Sequence, residues 1–202
     1  MNVVSWVVAD SPRVLTIGHS NHSMEHFLDL LRRHAVQVVA DVRSSPYSKY
    51  ATQFDREPLM EALRAAGFQY VYLGGELGGR PRGDAYYDAA GHVLYDKVVV
   101  SPGFQAGVAR LEEGLRQYAV AALCAEEDPT GCHRRLLVGR VLGERGVAVD
   151  HIRGDGRLQT EAEVAAAEPH SNQLSLFEEI EAPWKSVPSV SPKKRQSSSS
   201  RF

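Results

Sequence analysis

Short β-branched runs alternate with longer stretches of 3.6-residue apolar period between Val14 and Ile152. That alternation restricts the chain to βα units laid on a mostly parallel sheet with helices on both faces. About five strands are expected, at 14–17, 38–42, 70–73, 120–124 and 147–152. Ser23 reads as the N-cap of a helix whose inner face is Phe27, Leu28, Leu30 and Leu31. Pro58 and Gly67 bracket a second helix, with proline early and glycine just past the end. Residues 104–118 and 132–145 carry two more, the latter closed by Gly146. The glycine-rich stretch 74–83 is too polar and too flexible to form an element, and a long loop is expected there. The fold class is therefore α/β: a single three-layer domain with a mostly parallel, Rossmann-like sheet over residues 12–156. An extension, 157–182, holds one helix at 160–168, and a basic Ser/Pro-rich tail, 183–202, is expected to be disordered.

Composition narrows the class of function. A chain of 202 residues buries a core without disulfide help, and its two cysteines, Cys124 and Cys132, are too few for a disulfide framework. No apolar run approaches the roughly 18 residues of a membrane span. The N-terminus lacks the basic start of a secretory signal, so a cytoplasmic protein is expected. A net charge of −2 hides a division: residues 1–182 hold 18 basic and 25 acidic groups, whereas 183–202 hold five basic and no acidic ones. An acidic domain cannot hold nucleic acid by bulk charge, so anion binding must come from a local site or from the tail. Neither a Walker A sequence nor GxGxxG after the first strand is present. ATP hydrolysis and dinucleotide binding lose their usual support, and no cofactor is expected.

In an open α/β sheet, ligands bind outside the carboxyl ends of the strands, and chemically versatile residues crowd that edge. The first strand runs into His19, the second into Asp41, Arg43 and Ser45, the fourth into Cys124 and Glu126. The next helix opens on Cys132, His133 and Arg134. A helix start favours an anion there, and Arg43 and Arg134 could add bidentate forks. The alternative is that both arginines pair internally, with Asp41 and Glu126. His19, Asp41 and Glu126 are the candidate acids and bases, and Cys132, at a helix start beside His133, is the candidate nucleophile. Cys124 reads either as a small buried residue or as part of the substrate wall, together with Ser45 and His133. Glu76 and Arg80 in the glycine-rich loop either fold over the site as a lid or lie solvated. Cys124, Cys132, His133 and His19 are also potential metal ligands. The wide cysteine spacing, and the difficulty of adjacent Cys132 and His133 sharing one ion, argue against it, and no metal is expected.

Several segments together resemble the family called domain of unknown function 488. They are Thr16-Ile17-Gly18-His19-Ser20, Asp41-Val42-Arg43 with Ser45-Pro46 and Ser48, Leu73 with Leu77-Gly78-Gly79, and Leu123-Cys124-Ala125-Glu126 with Cys132-His133-Arg134 and His151-Ile152. The motifs stand in the family's order over about residues 14–155. The resemblance implies an α/β domain of bacteria and archaea with no established activity; it supports the site positions and supplies no reaction.

Beyond the domain, Gln173-Leu174-Ser175-Leu176-Phe177 is similar to the peptide by which bacterial replication and repair proteins bind the sliding clamp. That resemblance implies the clamp as a partner. An extended peptide of this kind seats Leu176 and Phe177 in an apolar pocket while Gln173 fixes the register. The alternative is that Leu174, Leu176, Phe177 and Ile180 close onto the domain. The expected function is an enzyme acting on a phosphorylated, nucleotide or nucleic-acid-derived substrate, linked to DNA replication or repair through the clamp. A non-catalytic adaptor that binds nucleotide or nucleic acid, and a metal-stabilised structural domain, are the alternatives.

Overall fold

The computed structural model describes residues 12–168 and 184–188. In chain order the strands are β1 (Arg13–Gly18), β2 (Val38–Asp41), β3 (Gln69–Tyr72), β4 (Val120–Cys124), β5 (Ala148–Ile152) and β6 (Leu158–Thr160). They form one sheet in the order β3-β2-β4-β1-β5-β6, parallel throughout except for the β5–β6 pair. The mostly parallel α/β architecture matches the sequence expectation, with one strand more. Leu158-Gln159-Thr160 is short and mostly polar, so it carries no legible period; it becomes a strand by pairing with Asp150, His151 and Ile152 at the sheet edge.

Alternate strand residues feed two cores. On one face Leu15, Ile17, Val39 and Leu123 pack against Phe27, Leu30 and Leu31 of α1 (Met24–Arg33) and Leu59 and Leu63 of α2 (Arg56–Ala65). Leu28, expected on that inner face, is only half-buried. The other face is covered by α3 (Gly74–Leu77), α4 (Tyr95–Val99), α5 (Pro102–Leu115) and α6 (Arg140–Glu144). There Leu77, Val98, Phe104, Val108 and Leu142 meet Val14, Val38, Ala40, Val120 and Ala122. Burying one such leucine or phenylalanine contributes roughly 1.5–3 kcal/mol. Central strands covered on both faces read as unbroken apolar runs, which is why they were visible in the sequence.

Helix starts follow the capping chemistry. Ser23 accepts from the His26 N–H and Ser101 from the Phe104 N–H, with Pro102 in the first turn. Thr160 and Glu163 form a capping box at the start of α7 (Glu161–Ala167).

Three segments differ from expectation. Residues 74–77 form a helical turn inside the glycine-rich stretch, because Leu77 is fully buried and its N–H donates to the Leu73 carbonyl at 2.7 Å. The helix expected over 132–145 is a π-helical segment, Arg134–Gly139, running into α6. The disorder expected from residue 183 does not extend to 184–188. Trp184 donates its indole N–H to the Leu136 carbonyl at 2.9 Å, packs edge-on against Tyr95, and carries the Arg140 guanidinium 4.3 Å above its ring. The clamp-like peptide at 173–177 lies outside the described residues.

The connection after β1 runs over the α1 face and the one after β4 over the α6 face. Neighbouring strands whose connections part in this way leave a crevice at their carboxyl ends. Among the described residues no helix is long and apolar enough to cross a membrane.

Candidate functional site

A pocket of about 300 Å³ opens at the carboxyl ends of β2 and β4. Of the residues expected from the sequence, Arg43, Ser45, Cys124, Glu126 and His133 line it. Arg80, expected either over the site or solvated, also lines it; Ser44 and Tyr47 add to the wall, as do Ser186 and Pro188 from the far end of the chain.

Cys124 ends β4, and its Sγ lies 3.6 Å from Nδ1 of His133. The other ring nitrogen, Nε2, is 3.0 Å from the carbonyl oxygen of Val42. A carbonyl only accepts, so Nε2 carries a proton and Nδ1 is left facing the sulfur. A hydrogen bond from Cys132, followed by the charges of His133 and Arg134, holds the Cys124 thiol well below its ordinary range against the opposing effect of burial. Burial, and then the same hydrogen bond, pushes Cys132 well up. Burial pulls His133 down, but the Cys124 sulfur beside it, the Val42 carbonyl and Glu126 together outweigh that and raise it. Together these shifts favour negative charge on Cys124 and positive charge on His133, with the proton retained on Cys132.

The structure thus places the two thiols differently from the sequence expectation. Cys132 is fully buried and does not line the pocket; its N–H donates to the Pro129 carbonyl at 3.1 Å, which closes a turn instead of leaving an open helix start. Cys124, the blander candidate in the sequence, is the one on the wall.

Both arginines are held internally. Arg43 donates from Nε to Asp41 Oδ1 at 2.9 Å, from Nη2 to Oδ2 at 2.6 Å and from Nη1 to the Phe54 carbonyl at 2.8 Å. Arg134 is fully buried, donating from Nη1 to the Glu126 carbonyl, from Nη2 to the Glu127 carbonyl at 2.6 Å and from Nε to Thr16 Oγ1 at 3.3 Å. The internal pairing weighed for Arg134 and Glu126 therefore uses the backbone oxygen of Glu126, a residue that is exposed and lines the pocket. Thr16 continues the chain to His151 at 2.7 Å, whose Nε2 donates to Glu161 at 3.0 Å. The turn carrying Glu126 sits so low over β1 that a Cβ on Gly18 would lie 1.7 Å from the Glu126 oxygen. On the other side, a Cβ on Gly79 would come within 2.6 Å of the His133 ring. Glycine at both positions lets the backbone close around the pair.

Other expected residues lie off the pocket wall. His19 stacks on Phe54 with ring centroids 4.5 Å apart and gives its Nδ1 proton to the Ser20 carbonyl; burial lowers its pKa. Asp41 is fully buried beneath Arg43. Glu76 pairs with Arg110 of α5 at 2.5 Å, which turns its side chain toward that helix. Sequence reasoning missed Ser44 and Tyr47, which follow β2 into the loop where strand-end placement could have found them. Ser186 and Pro188 gave no local signal.

The donor atoms of Cys124, Cys132 and His133 all lie within 4.8 Å of one another. The adjacency of Cys132 and His133, expected to make sharing one ion difficult, does not keep their donor atoms apart. Two sulfurs and an imidazole suit a soft divalent ion, and the His133–Val42 hydrogen bond is the kind of outer support a ligating histidine uses.

The family model for domain of unknown function DUF488 matches residues 23–141, more than half of the chain and inclusive of the Cys124, Cys132 and His133 cluster. No curated protein and no solved structure matches the chain.

Proposed function

We propose, for a chain that belongs to the DUF488 family, a thiol enzyme. In this reading Cys124 attacks an electrophilic centre of a phosphorylated, nucleotide or nucleic-acid-derived substrate seated in the strand-end pocket. The observation that carries it is the 3.6 Å approach of His133 Nδ1 to Cys124 Sγ on the pocket wall, with Nε2 already committed to Val42. As the bond from Sγ to the substrate centre forms, the bond to the leaving group breaks and takes its electron pair. The Nδ1 proton of the imidazolium passes to that leaving group. Water then displaces Sγ, returning a proton to Nδ1 and regenerating the thiolate. Glu126, exposed on the pocket wall, is the carboxylate positioned to orient that water.

Iodoacetamide labelling at neutral pH with peptide mapping tests the pair. Cys124 is expected to be modified before Cys132, and about tenfold more slowly once His133→Gln removes the imidazole. Equal labelling of the two cysteines, or an unchanged rate in the variant, overturns the proposal.

The clustering of three soft-metal donors favours one second reading, a Cys2His centre whose open position faces the pocket. Elemental analysis decides between them: stoichiometric zinc, with Cys124 protected from iodoacetamide until chelation, replaces the thiol reading.

In either case the peptide Gln173, Leu174, Ser175, Leu176 and Phe177 is proposed to bring the protein to the sliding clamp. Leu176→Ala combined with Phe177→Ala should abolish clamp capture in a pull-down. Failure of the unaltered protein to capture the clamp ends that part of the proposal.

A further inference from the structure

One wall of the pocket is an aromatic ring left in water. Tyr47, on the loop after β2, is 55% exposed. Its hydroxyl donates to Glu57 at 3.0 Å, so the ring is anchored by its rim while much of its surface stays bare. Three residues further along the same loop Tyr50 is 94% exposed, with exposed Lys49 beside it. The protein core makes no use of these rings.

The charge on the wall is equally specific. The Arg43 guanidinium is spent on Asp41 and Phe54, but the Arg80 side chain forms no ion pair or hydrogen bond among the described residues. Only its backbone is committed, the N–H donating to Ser44 Oγ at 2.8 Å, and that bond holds Arg80 at the pocket rim. The wall thus offers a bare π-face, one free guanidinium, serine hydroxyls and the Cys124–His133 pair. A planar base joined to a phosphate complements that set, with stacking for the ring and a fork for the anion. At about 300 Å³ the pocket is at the small end of ligand sites and suits one such unit.

We infer that the pocket takes a nucleotide unit, its base stacked on Tyr47 and its phosphate held by Arg80. This rests on the proposal that the pocket beside Cys124 is the substrate site, and it narrows the substrate class there. Two sources supply the same chemistry, a free mononucleotide or the terminal residue of a single strand. In the second case Tyr50 and Lys49 meet the next base and phosphate along the loop.

Calorimetric titration of the full chain tests the inference, using AMP, GMP, CMP and UMP, ribose 5-phosphate, and a 5′-phosphorylated thymidine hexanucleotide. At least one mononucleotide should bind about tenfold or more tightly than ribose 5-phosphate. Tyr47→Ala should weaken that nucleotide by about 5–150-fold and leave ribose 5-phosphate unchanged, whereas Tyr47→Phe retains most of the affinity. Arg80→Ala should weaken both. A hexanucleotide affinity about tenfold above the mononucleotide, lost in Tyr50→Ala, identifies the single strand as the source; equal affinities identify the free nucleotide. Absence of binding by all four mononucleotides and the hexanucleotide, or nucleotide affinity untouched by Tyr47→Ala, overturns the inference. Because Tyr47 is exposed, its loss should not unfold the chain. Binding does not require thiol chemistry, so unselective iodoacetamide labelling with nucleotide binding intact removes the thiol proposal alone. Selective labelling without nucleotide binding removes this inference alone.

Discussion

The neighbouring strands β2 and β4 end in similar residues, an acid shortly after or at the strand end and an arginine beyond it, yet the two ends are used in opposite ways. At β2 the acid and the arginine consume each other. Asp41 Oδ1 accepts from the Arg43 backbone N–H and from Nε, and Oδ2 accepts from Nη2 and from the Tyr70 hydroxyl. At β4 the guanidinium of Arg134 takes backbone carbonyls instead, and Glu126 and Cys124 line the pocket. A buried arginine disarms a strand end when it captures the carboxylate. It arms one when it captures the main chain.

The sharpest way to break this contrast is Asp41→Ala, which leaves the Arg43 guanidinium buried without its counter-charge. A loss of about 3–5 kcal/mol in urea unfolding is expected. Replacing both partners, Asp41→Leu with Arg43→Met, should recover most of it; a single substitution costing under about 1 kcal/mol would mean that β2 is not closed in this way. Arg134→Met comes next at roughly 2–3 kcal/mol, since it orphans the Glu126 and Glu127 carbonyls. Its diagnostic effect is slower iodoacetamide labelling of Cys124, and labelling at the native rate would separate the arginine from the site.

Gly18→Ala forces the Glu126 turn off β1 and should cost about 1–3 kcal/mol, read as a lowered Tm. Cys132→Ala is the mildest, within about 1.5 kcal/mol, because a small buried group replaces another. Its readout is a pH profile of the metal-free protein. A thiol held below its ordinary range stays thiolate as pH falls through that range, so labelling of Cys124 should slow only at lower pH than for a free cysteine. Removing the Cys132 donor should move the profile to higher pH, and a profile that stays in place contradicts the hydrogen bond between the two thiols.

The central strands β2 and β4 were legible because they are covered on both faces and read as largely apolar runs, and strand-end placement then followed from chain order alone. It located Arg43, Ser45, Cys124, Glu126 and His133 on one wall. Which sulfur faces the imidazole was not legible, because a thiol's surroundings depend on neighbours brought in by the fold: Val42, just beyond β2, fixes the tautomer of His133 from far away in sequence. Asp41 read as a candidate acid or base and Arg43 as an anion fork for the same reason, as their mutual capture is a matter of side-chain direction. β6 escaped because a short, mostly polar segment, Leu158-Gln159-Thr160, becomes a strand only against β5. Trp184 and Ser186 escaped because their partners, Leu136 and Val93, lie far away in sequence.

The π-helical segment Arg134–Gly139 has a further consequence. Each residue of an α-helix turns the chain by about 100°, and a π turn holds roughly one residue more than an α turn. The segment therefore acts as a phase shifter: Leu137, Val138, Val141 and Leu142 keep step with the core, while Cys132 and His133 keep step with Cys124. Shortening the chain by one residue between 136 and 139 would bring the two halves into a single phase. The expected product is a folded domain whose imidazole points away from the sulfur, with geometry lost and composition almost unchanged.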